Sequence, residues 1–494
     1  MKAARKPIES LPAVSIDEAL QDRQLLGAGL GELSTWVHWF IALKAAFGRP
    51  LTDDERSFFM RIAGGRAPPL NRIREFWAIV SRRGGKSRMA AAIAAFIACF
   101  IDHSGKLAPG EIGFVLVLAA SKQQAKVVHS YVRGFLEAST ILKQLIHEVT
   151  ADEIRLRSGI IIAVHPNSFR TSRGRTLLAC IFDEVSFWQS DTTSSPDVET
   201  YRAILPSLAT TGGMLVGISS PYRQTGLLYQ KHQAHYGKED PAVLVIQSDS
   251  RTLNPSLDSA IVEAAREADP ESARAEWDGE FRGDLASYAS ETAIMACVES
   301  NIFERPWQAR NEYFAFVDVA GGAGADSMCL GISHTEGKTR ILDCLREARP
   351  PFSPEAVAEE FADVCKSYKV TKLRGDRYAG QWPVEQFKKH GINFQPTERT
   401  KSELYLHLLP MINSAAIQLL DNRRSVVQLA SLVRRTGLGQ KDSIDHPSNG
   451  HDDLANVVAG AMCHAPAEEE RRLRLVPREP AIPHNEWDPL AAYR

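Results

Sequence analysis

Phe76-Trp-Ala-Ile-Val80 runs straight into Ser81-Arg82-Arg83-Gly84-Gly85-Lys86-Ser87, and the helical pattern of Arg88 to Phe100 follows at once. An apolar strand, a glycine-containing turn with Lys-Ser, and a helix make the context that a phosphate loop requires. Backbone N–H groups of such a turn and of the helix N-terminus surround phosphate oxygens. Lys86 would neutralise charge and the Ser87 hydroxyl could join a Mg2+ shell. The full pattern asks for glycine at position 80, where this chain has Val80. Taken alone, Gly85-Lys86-Ser87 is a common tripeptide.

Its partner lies downstream. Leu177 to Phe182 is a buried-strand pattern ending in Asp183-Glu184. An Asp at the carboxyl end of such a strand can hold the water shell of a metal, and the adjacent Glu can polarise an attacking water. The two elements in this order point to ATP hydrolysis, with Ser81, Arg82, Arg83, Gly84, Gly85, Lys86, Ser87 and Asp183 binding MgATP and Glu184 catalytic. Arg170, Arg173 and Arg175 cluster before the acidic strand. Arg173 is the candidate arginine finger, with a DNA-contacting or solvated basic loop as the plain alternative. Ser219-Ser220-Pro221 ends the Met214 to Ile218 strand and could sense a γ-phosphate, or form an ordinary turn.

Working outward, apolar runs at Gly113 to Ala119 and Ile160 to Val164 alternate with helical patterns such as Lys122 to Leu136. Alternation of this kind predicts a mostly parallel sheet with helices on both faces. Residues 1–70 read as an N-terminal helical region, 71–285 as the ATPase domain and 286–306 as a linker. The second half has a different order. Three strands (Tyr313 to Val319, Met328 to His334, Thr339 to Leu345) come close together. After them a helix (Pro354 to Tyr368), a strand (Lys372 to Asp376), further helices and strands, and a helix from Asp452 to Met462 follow. This is the order of an RNase H-like domain, over 307–465. Charged, Pro-containing 466–494 reads as a flexible tail.

Asp318 stands in an otherwise apolar strand, where an uncompensated carboxylate is costly. Asp376 ends a strand, and Asp452 and Asp453 open the last helix. In the RNase H order these acids converge, and two Mg2+ or Mn2+ ions about 4 Å apart would activate a water and stabilise the leaving oxygen. A helix cap for Asp452 or Asp453 and a turn for Asp376 are the bland alternatives. Asp326 and Asp343 rank as hairpin or surface acids, with Asp326 also a candidate auxiliary ligand; His446 and His451 read as surface histidines, with assistance to catalysis as the alternative. Arg377, Tyr378, Gln381 and Trp382 mix cation with aromatic faces, suited to a DNA backbone or to packing.

The 494 residues are 44% hydrophobic and 24% charged with a net charge of −2. That composition argues for a globular protein of more than one domain and against a strongly basic nucleic-acid binder, so DNA contact would need local patches. No apolar run approaches the roughly 18 residues of a membrane span, and no secretory signal opens the chain, so cytoplasm is the default. Seven cysteines, none in a CxxC pair, read as reduced core residues.

At this point the residues resemble a known family. Ser81 to Ser87 looks like the deviant phosphate loop of phage terminase large subunits, which often lack the first glycine and carry an arginine after it. Ile181-Phe-Asp-Glu184 is similar to that family's Walker B strand with its catalytic Glu. Gly375-Asp-Arg-Tyr-Ala-Gly-Gln-Trp-Pro383, Ser402-Glu-Leu-Tyr405, Ser443-Ile-Asp-His-Pro447 and His451-Asp-Asp-Leu-Ala455 resemble the nuclease half of phage and prophage members. The resemblance spans about residues 30–465. It implies a motor that translocates double-stranded viral DNA into a procapsid and cuts it. The implied partners are the portal protein and a small terminase subunit. The implied assembly is a homo-pentamer when docked, with a monomer as the candidate solution state, in the cytoplasm of a bacterial host and transiently at the portal. A helicase-nuclease of repair or phage defence is the alternative; it should carry a second motor lobe after Glu184. Asn456 departs from the pattern, standing where many RNase H-like sites put another acid.

Overall fold

The computed structural model describes residues 14–167, 174–190, 193–376, 380–436, 442–447 and 450–464. The chain divides into two compact units between Ser287 and Tyr288, with a brief later excursion at Arg434 assigned to the first.

The first unit is built on β1 (Glu75–Val80), β2 (Gly113–Ala119), β3 (Ile146–Val149), β4 (Glu153–Leu156), β5 (Ile161–Pro166), β6 (Thr176–Asp183), β7 (Met214–Ser219) and β8 (Val243–Ser248). They form one sheet in the order β3-β4-β5-β2-β6-β7-β1-β8. From β5 to β8 every neighbouring pair is parallel, and only the β3–β4–β5 edge is antiparallel. The predicted mostly parallel α/β sheet is what the chain forms. The edge hairpin and β8 are additional to it: the polar Ile146-His-Glu-Val149 carries no strand signal of its own.

Both faces of the sheet are covered because alternate residues face opposite sides. Phe76, Ala78 and Val80 enter one core with Val115, Val117 and Ala119, while Trp77 and Ile79 enter the other with Leu116 and Leu118. On the first face the helix Lys86–Phe100 is buried almost all round from Met89 to Ala98. Its far side is covered by the helices Ile16–Gln21 and Val37–Ala46, whose Leu20, Trp39 and Leu43 belong to the same core. The N-terminal helical region expected over 1–70 is therefore not a separate layer where it is described; it completes the core of the sheet.

A three-residue strand β9 (Leu285–Ser287) ends this unit. The expected linker 286–306 is also corrected: helix Glu291–Met295 folds onto the second unit, with Ile294 and Cys297 in its core. The expected tail lies outside the described residues. All seven cysteines are free, and all but Cys99 are buried.

The second unit contains β10 (Phe314–Asp318), β11 (Met328–Glu336), β12 (Thr339–Ala348), β13 (Lys372–Gly375), β14 (Asn393–Pro396) and β15 (Ile417–Gln418). The sheet order is β14-β13-β10-β11-β12-β15. An antiparallel meander β10–β11–β12 is flanked on the β10 side by parallel β13 and β14, the RNase H-like order that the sequence predicts. Phe316 faces the core made with helices Lys401–Asn413 and Asp453–His464, while Ala315 and Val317 face the core under helix Pro354–Ser367. The helix Arg423–Ser431 is additional to the expectation. Among the described residues no helix is long and apolar enough to cross a membrane.

One contact sets how closely the last helix approaches the sheet. A Cβ on Gly460 would lie 2.2 Å from the buried ring of Phe316. Gly460→Val should therefore overpack the second unit and cost about 1–3 kcal/mol or more. Chemical denaturation should show a lowered midpoint; an unchanged midpoint would contradict the contact.

Two candidate catalytic sites

The first site lies at the carboxyl ends of β1, β6 and β7. The loop leaves β1 after Val80, and Gly85 has a φ of +83°, with a would-be Cβ only 2.5 Å from Trp36. Val80 occupies the space beside Gly84, whose own Cβ would lie 2.5 Å from Val80 Cγ1. The loop backbone is held from outside: Trp39 Nε1 donates to Gly84 O at 2.7 Å, Ser250 Oγ to Arg82 O at 2.7 Å and Asn254 Nδ2 to Arg83 O at 2.8 Å. The Arg82 guanidinium turns to Glu276 at 3.2 Å, and Arg83 adopts a left-handed backbone with φ 61°.

Inside the loop, the buried Lys86 ammonium donates to Ser81 O at 2.9 Å and to Ser220 Oγ at 2.8 Å, and lies 3.3 Å from Glu184 Oε1. Glu184 itself is in the left-handed region, φ 52° and ψ 47°, a conformation that costs about 1–3 kcal/mol for a non-glycine residue. Ser220 N–H donates to Glu184 Oε2 at 3.0 Å, and Ser219 Oγ lies 3.3 Å from the same oxygen. The two serines thus hold the carboxylate and the ammonium in one frame.

Asp183 is buried at the end of β6. Ser87 Oγ sits 3.2 Å from its Oδ1, and Gln124 Nε2 donates to its Oδ2 at 2.9 Å. Burial, then the neighbouring Glu184, push its carboxyl up to about 7. A carboxyl raised this way favours a nearby cation, and Ser87 with Asp183 is a donor pair of the kind that holds Mg2+ beside a triphosphate. Gln124 is a site residue that sequence reading missed. It follows β2, which neighbours β6 only in the folded sheet, so no local signal marks it.

The second site gathers the acids of the second unit. Asp318 ends β10, Asp376 follows β13, and Asp452 and Asp453 stand at the start of the last helix. One fully buried amide joins two of them: Asn456 Nδ2 donates to Asp318 Oδ2 at 2.7 Å and to Asp376 Oδ2 at 3.0 Å. Asp452 is held differently. Both of its oxygens meet Lys401 Nζ, at 2.9 and 2.8 Å, and Oδ2 also accepts from Tyr405 OH at 2.8 Å. Asp453 Oδ2 accepts from Ser327 N–H at 2.9 Å. Ser327 Oγ in turn donates to Glu347 at 3.0 Å, and Arg424 reaches the same carboxylate at 2.9 Å.

Burial and mutual repulsion raise three of these carboxyls. Asp318 is driven well up by burial and then by Asp376, against the Asn456 hydrogen bond. Asp376 is raised by burial, with Asn456 and Lys401 opposing. Asp453 is raised by burial, with the Ser327 amide opposing. Neighbouring carboxylates, half-buried at Asp318 and Asp376 and buried at Asp453, are the oxygen ligands that hard divalent cations take. Asp318, Asp376 and Asp453 fit that role.

Other expected residues fall elsewhere. Asp343, expected as a hairpin or surface acid, lies in the β11–β12 hairpin and is buried, with its Oδ2 2.6 Å from His334 Nδ1; the Arg305 N–H donates to its carbonyl. Asp326 is exposed, with its Oδ1 3.5 Å from His451 Nδ1, and these two and Asp453 form one group able to share a cation. His446 lies near Asp445 and Asp452. Arg175 stacks over Phe114 and contacts His165. Arg170, Arg173, Arg377 and Tyr378 lie outside the described residues.

No family model and no curated protein matches this chain. Among solved structures it is similar to the large terminase of bacteriophage HK97, at 13% identity over 85% of this chain and 96% of that one, TM-score 0.36. It is likewise similar to the large terminase of a thermophilic bacteriophage, at 11% over 86% and 97%, TM-score 0.38. The large terminase nuclease of thermophilic phage G20c matches at 12% over 35% of this chain and 97% of that one, TM-score 0.31. Identities and scores this low leave the functional argument to the two sites themselves.

The Lys401–Asp452 pair allows a direct check. Lys401→Met leaves a buried carboxylate without its ammonium and should cost about 2 kcal/mol, less than for a dry pair because Lys401 is 31% exposed. Adding Asp452→Asn should restore most of the loss. Thermal denaturation of single and double variants reads both; equal melting of Lys401→Met and the parent would remove the pair from the account.

Proposed function

We propose that the chain is an ATP hydrolase joined to a metal-dependent nuclease. What carries this reading is the pairing of a framed Lys86–Glu184–Asp183 site in one unit with Asp318 and Asp376, joined by Asn456, and the acids Asp452 and Asp453 at the start of the same helix in the other.

In the first site Lys86 binds the β- and γ-phosphates, with the loop N–H groups around them. The ammonium lies against Glu184; phosphate oxygens competing for it release that carboxylate to take a proton from an attacking water. Ser219 and Ser220 keep Glu184 aimed during this exchange, and Ser220, bonded to Lys86, couples the two. Ser87 and Asp183 would hold Mg2+, which supplies charge neutralisation for the departing phosphoryl group. Gln124 orients both ligands.

In the second site Asp318, Asp376 and Asp453 would hold one or two Mg2+ or Mn2+ ions, which supply Lewis acidity toward a phosphodiester. Lys401 and Tyr405 fix Asp452 at the rim, where the Lys401 ammonium can meet a phosphate oxygen of the DNA backbone. Contact through phosphates suits a protein that acts on many sequences.

More specifically, the reading is that of a terminase large subunit. ATP hydrolysis would drive double-stranded viral DNA into a procapsid, and the nuclease would make the cuts. The deviant phosphate loop and the two sites in one chain support this, together with the motif resemblance around Asp376, Tyr405 and His451. The portal protein, a small terminase subunit, pentameric assembly at the portal and residence in the bacterial host cytoplasm belong to the same proposal, as does an arginine finger at Arg173. A helicase-nuclease is less well supported, because the described residues between Glu184 and Ser287 add two strands to the existing sheet and form no second lobe.

Glu184→Gln should lower DNA-stimulated ATP hydrolysis roughly 10²–10⁴-fold, and Lys86→Ala should abolish it, both sparing plasmid cutting. Asp318→Ala or Asp376→Ala should remove Mg2+- or Mn2+-dependent cutting and spare hydrolysis. Phosphate-release and plasmid-nicking assays on the four variants check this; full ATP turnover by both first-site variants, or full cutting by both second-site variants, would defeat the corresponding half.

A further inference from the structure

Asn456 is used on one side only. Its Nδ2 bridges Asp318 and Asp376, while Oδ1 of the same amide is buried and has no hydrogen-bond partner among the described residues. An acceptor left in that state costs about 1–3 kcal/mol. The residue is fully buried, and its backbone is fixed by its N–H donating to Asp452 O at 2.7 Å. The remaining freedom is rotation of the planar amide, whose two ends are nearly equal in shape and opposite in polarity.

The neighbouring oxygens narrow what Oδ1 can do. Asp452 is taken up by Lys401 and Tyr405, and Asp453 gives one oxygen to Ser327. Asp318 and Asp376 are bound together by the amide hydrogens. Those hydrogens carry positive partial charge and point into the space between two carboxylates, where a cation held by the same carboxylates would repel them.

We infer that Asn456 is a two-state ligand of the second site: with its nitrogen inward it clamps Asp318 and Asp376 together, and with the amide turned by half a rotation its Oδ1 becomes a neutral oxygen ligand of the bound divalent cation. This rests on the nuclease reading above. The turn removes the conflict between N–H and cation and gives the oxygen a partner, while the amide hydrogens move to the side where Oδ1 stood; the cation contact must outweigh the two hydrogen bonds given up. It also sets the affinity. A carboxamide ligand brings no charge, and cation affinity follows the charge count of the ligands, so this chain holds its cations more loosely than it would with an acid at 456.

The test uses the full chain. Isothermal titration with Mn2+ should show binding to the parent, and Asn456→Asp should bind roughly ten-fold more tightly or better. In EDTA the same variant should melt below the parent, because a further carboxylate then faces Asp318 and Asp376; with Mn2+ that order should reverse. In chain labelled with ¹⁵N-asparagine, the side-chain amide pair that disappears in Asn456→Ser should shift on adding Mg2+, as its protons leave the carboxylates. If Mg2+ binds and that amide pair stays in place, or if Asn456→Asp binds Mn2+ no more tightly than the parent, the ligand role is refuted while the nuclease reading stands. A parent chain that takes up no Mn2+ overturns the nuclease reading, and this inference with it.

Discussion

A carboxylate at the end of a buried strand must find a proton, a hydrogen-bond donor or a counter-ion, and both units of this chain are organised around that demand. Parallel strands in the first sheet, and the β10–β13 pair in the second, deliver their carboxyl ends to one edge. Asp183 arrives there buried, and Glu184, Asp318 and Asp376 arrive half-buried. In the first unit the demand is met by Lys86, Gln124, Ser87 and two serine groups. In the second it is met by one amide shared between two acids and by an ammonium committed to a third. The first arrangement is compensated in place; the second leaves charge still to be balanced, as the proposed cation role requires.

The adjacent acids Asp452 and Asp453 show how position divides labour. One residue apart at a helix start, they point to different partners. Asp452 is enclosed by Lys401 and Tyr405 from the helix Lys401–Asn413, while Asp453 faces Ser327 and lies near Asp326 and His451. The first is held by an ammonium and a phenol; the second takes one backbone N–H and shares a group with Asp326 and His451. The sequence shows two equivalent acids, and only the packing of the neighbouring helix separates them.

The same distinction governs what can be read before folding. Strands β1, β2, β6, β7 and β10 are legible because their apolar runs are continuous, and β6 and β10 also end in acids. Asp318 announces itself as a charge inside an apolar strand. Glu347, Gln124 and Lys401 carry no such mark: each reaches its site across a sheet or from another helix, and sheet order is not written in local pattern. Asp343 reads as a hairpin or surface acid for the same reason. It lies within the apolar run Ile341-Leu342-Asp343-Cys344-Leu345, and its partner His334 comes from the paired strand, which only the sheet register brings to it. The linker expected over 286–306 fails likewise, since sparse apolar residues such as Ile294 and Cys297 suffice to anchor a short segment to an existing core.

Val80 illustrates how a departure from a motif is accommodated rather than tolerated. A valine in place of glycine puts a branched side chain under the loop, and Gly84 then lacks room for any side chain of its own. The loop lies against Trp36 and Trp39: Trp39 takes up the carbonyl of Gly84, and Gly85 is left-handed where Trp36 leaves no room for a side chain. Gly84 thus becomes a further position where only glycine fits, and Trp36 and Trp39 become part of the loop's support. Residues that look like an appendage in the sequence hold the loop backbone, so the proposed nucleotide site begins at Trp36 and not at Ser81.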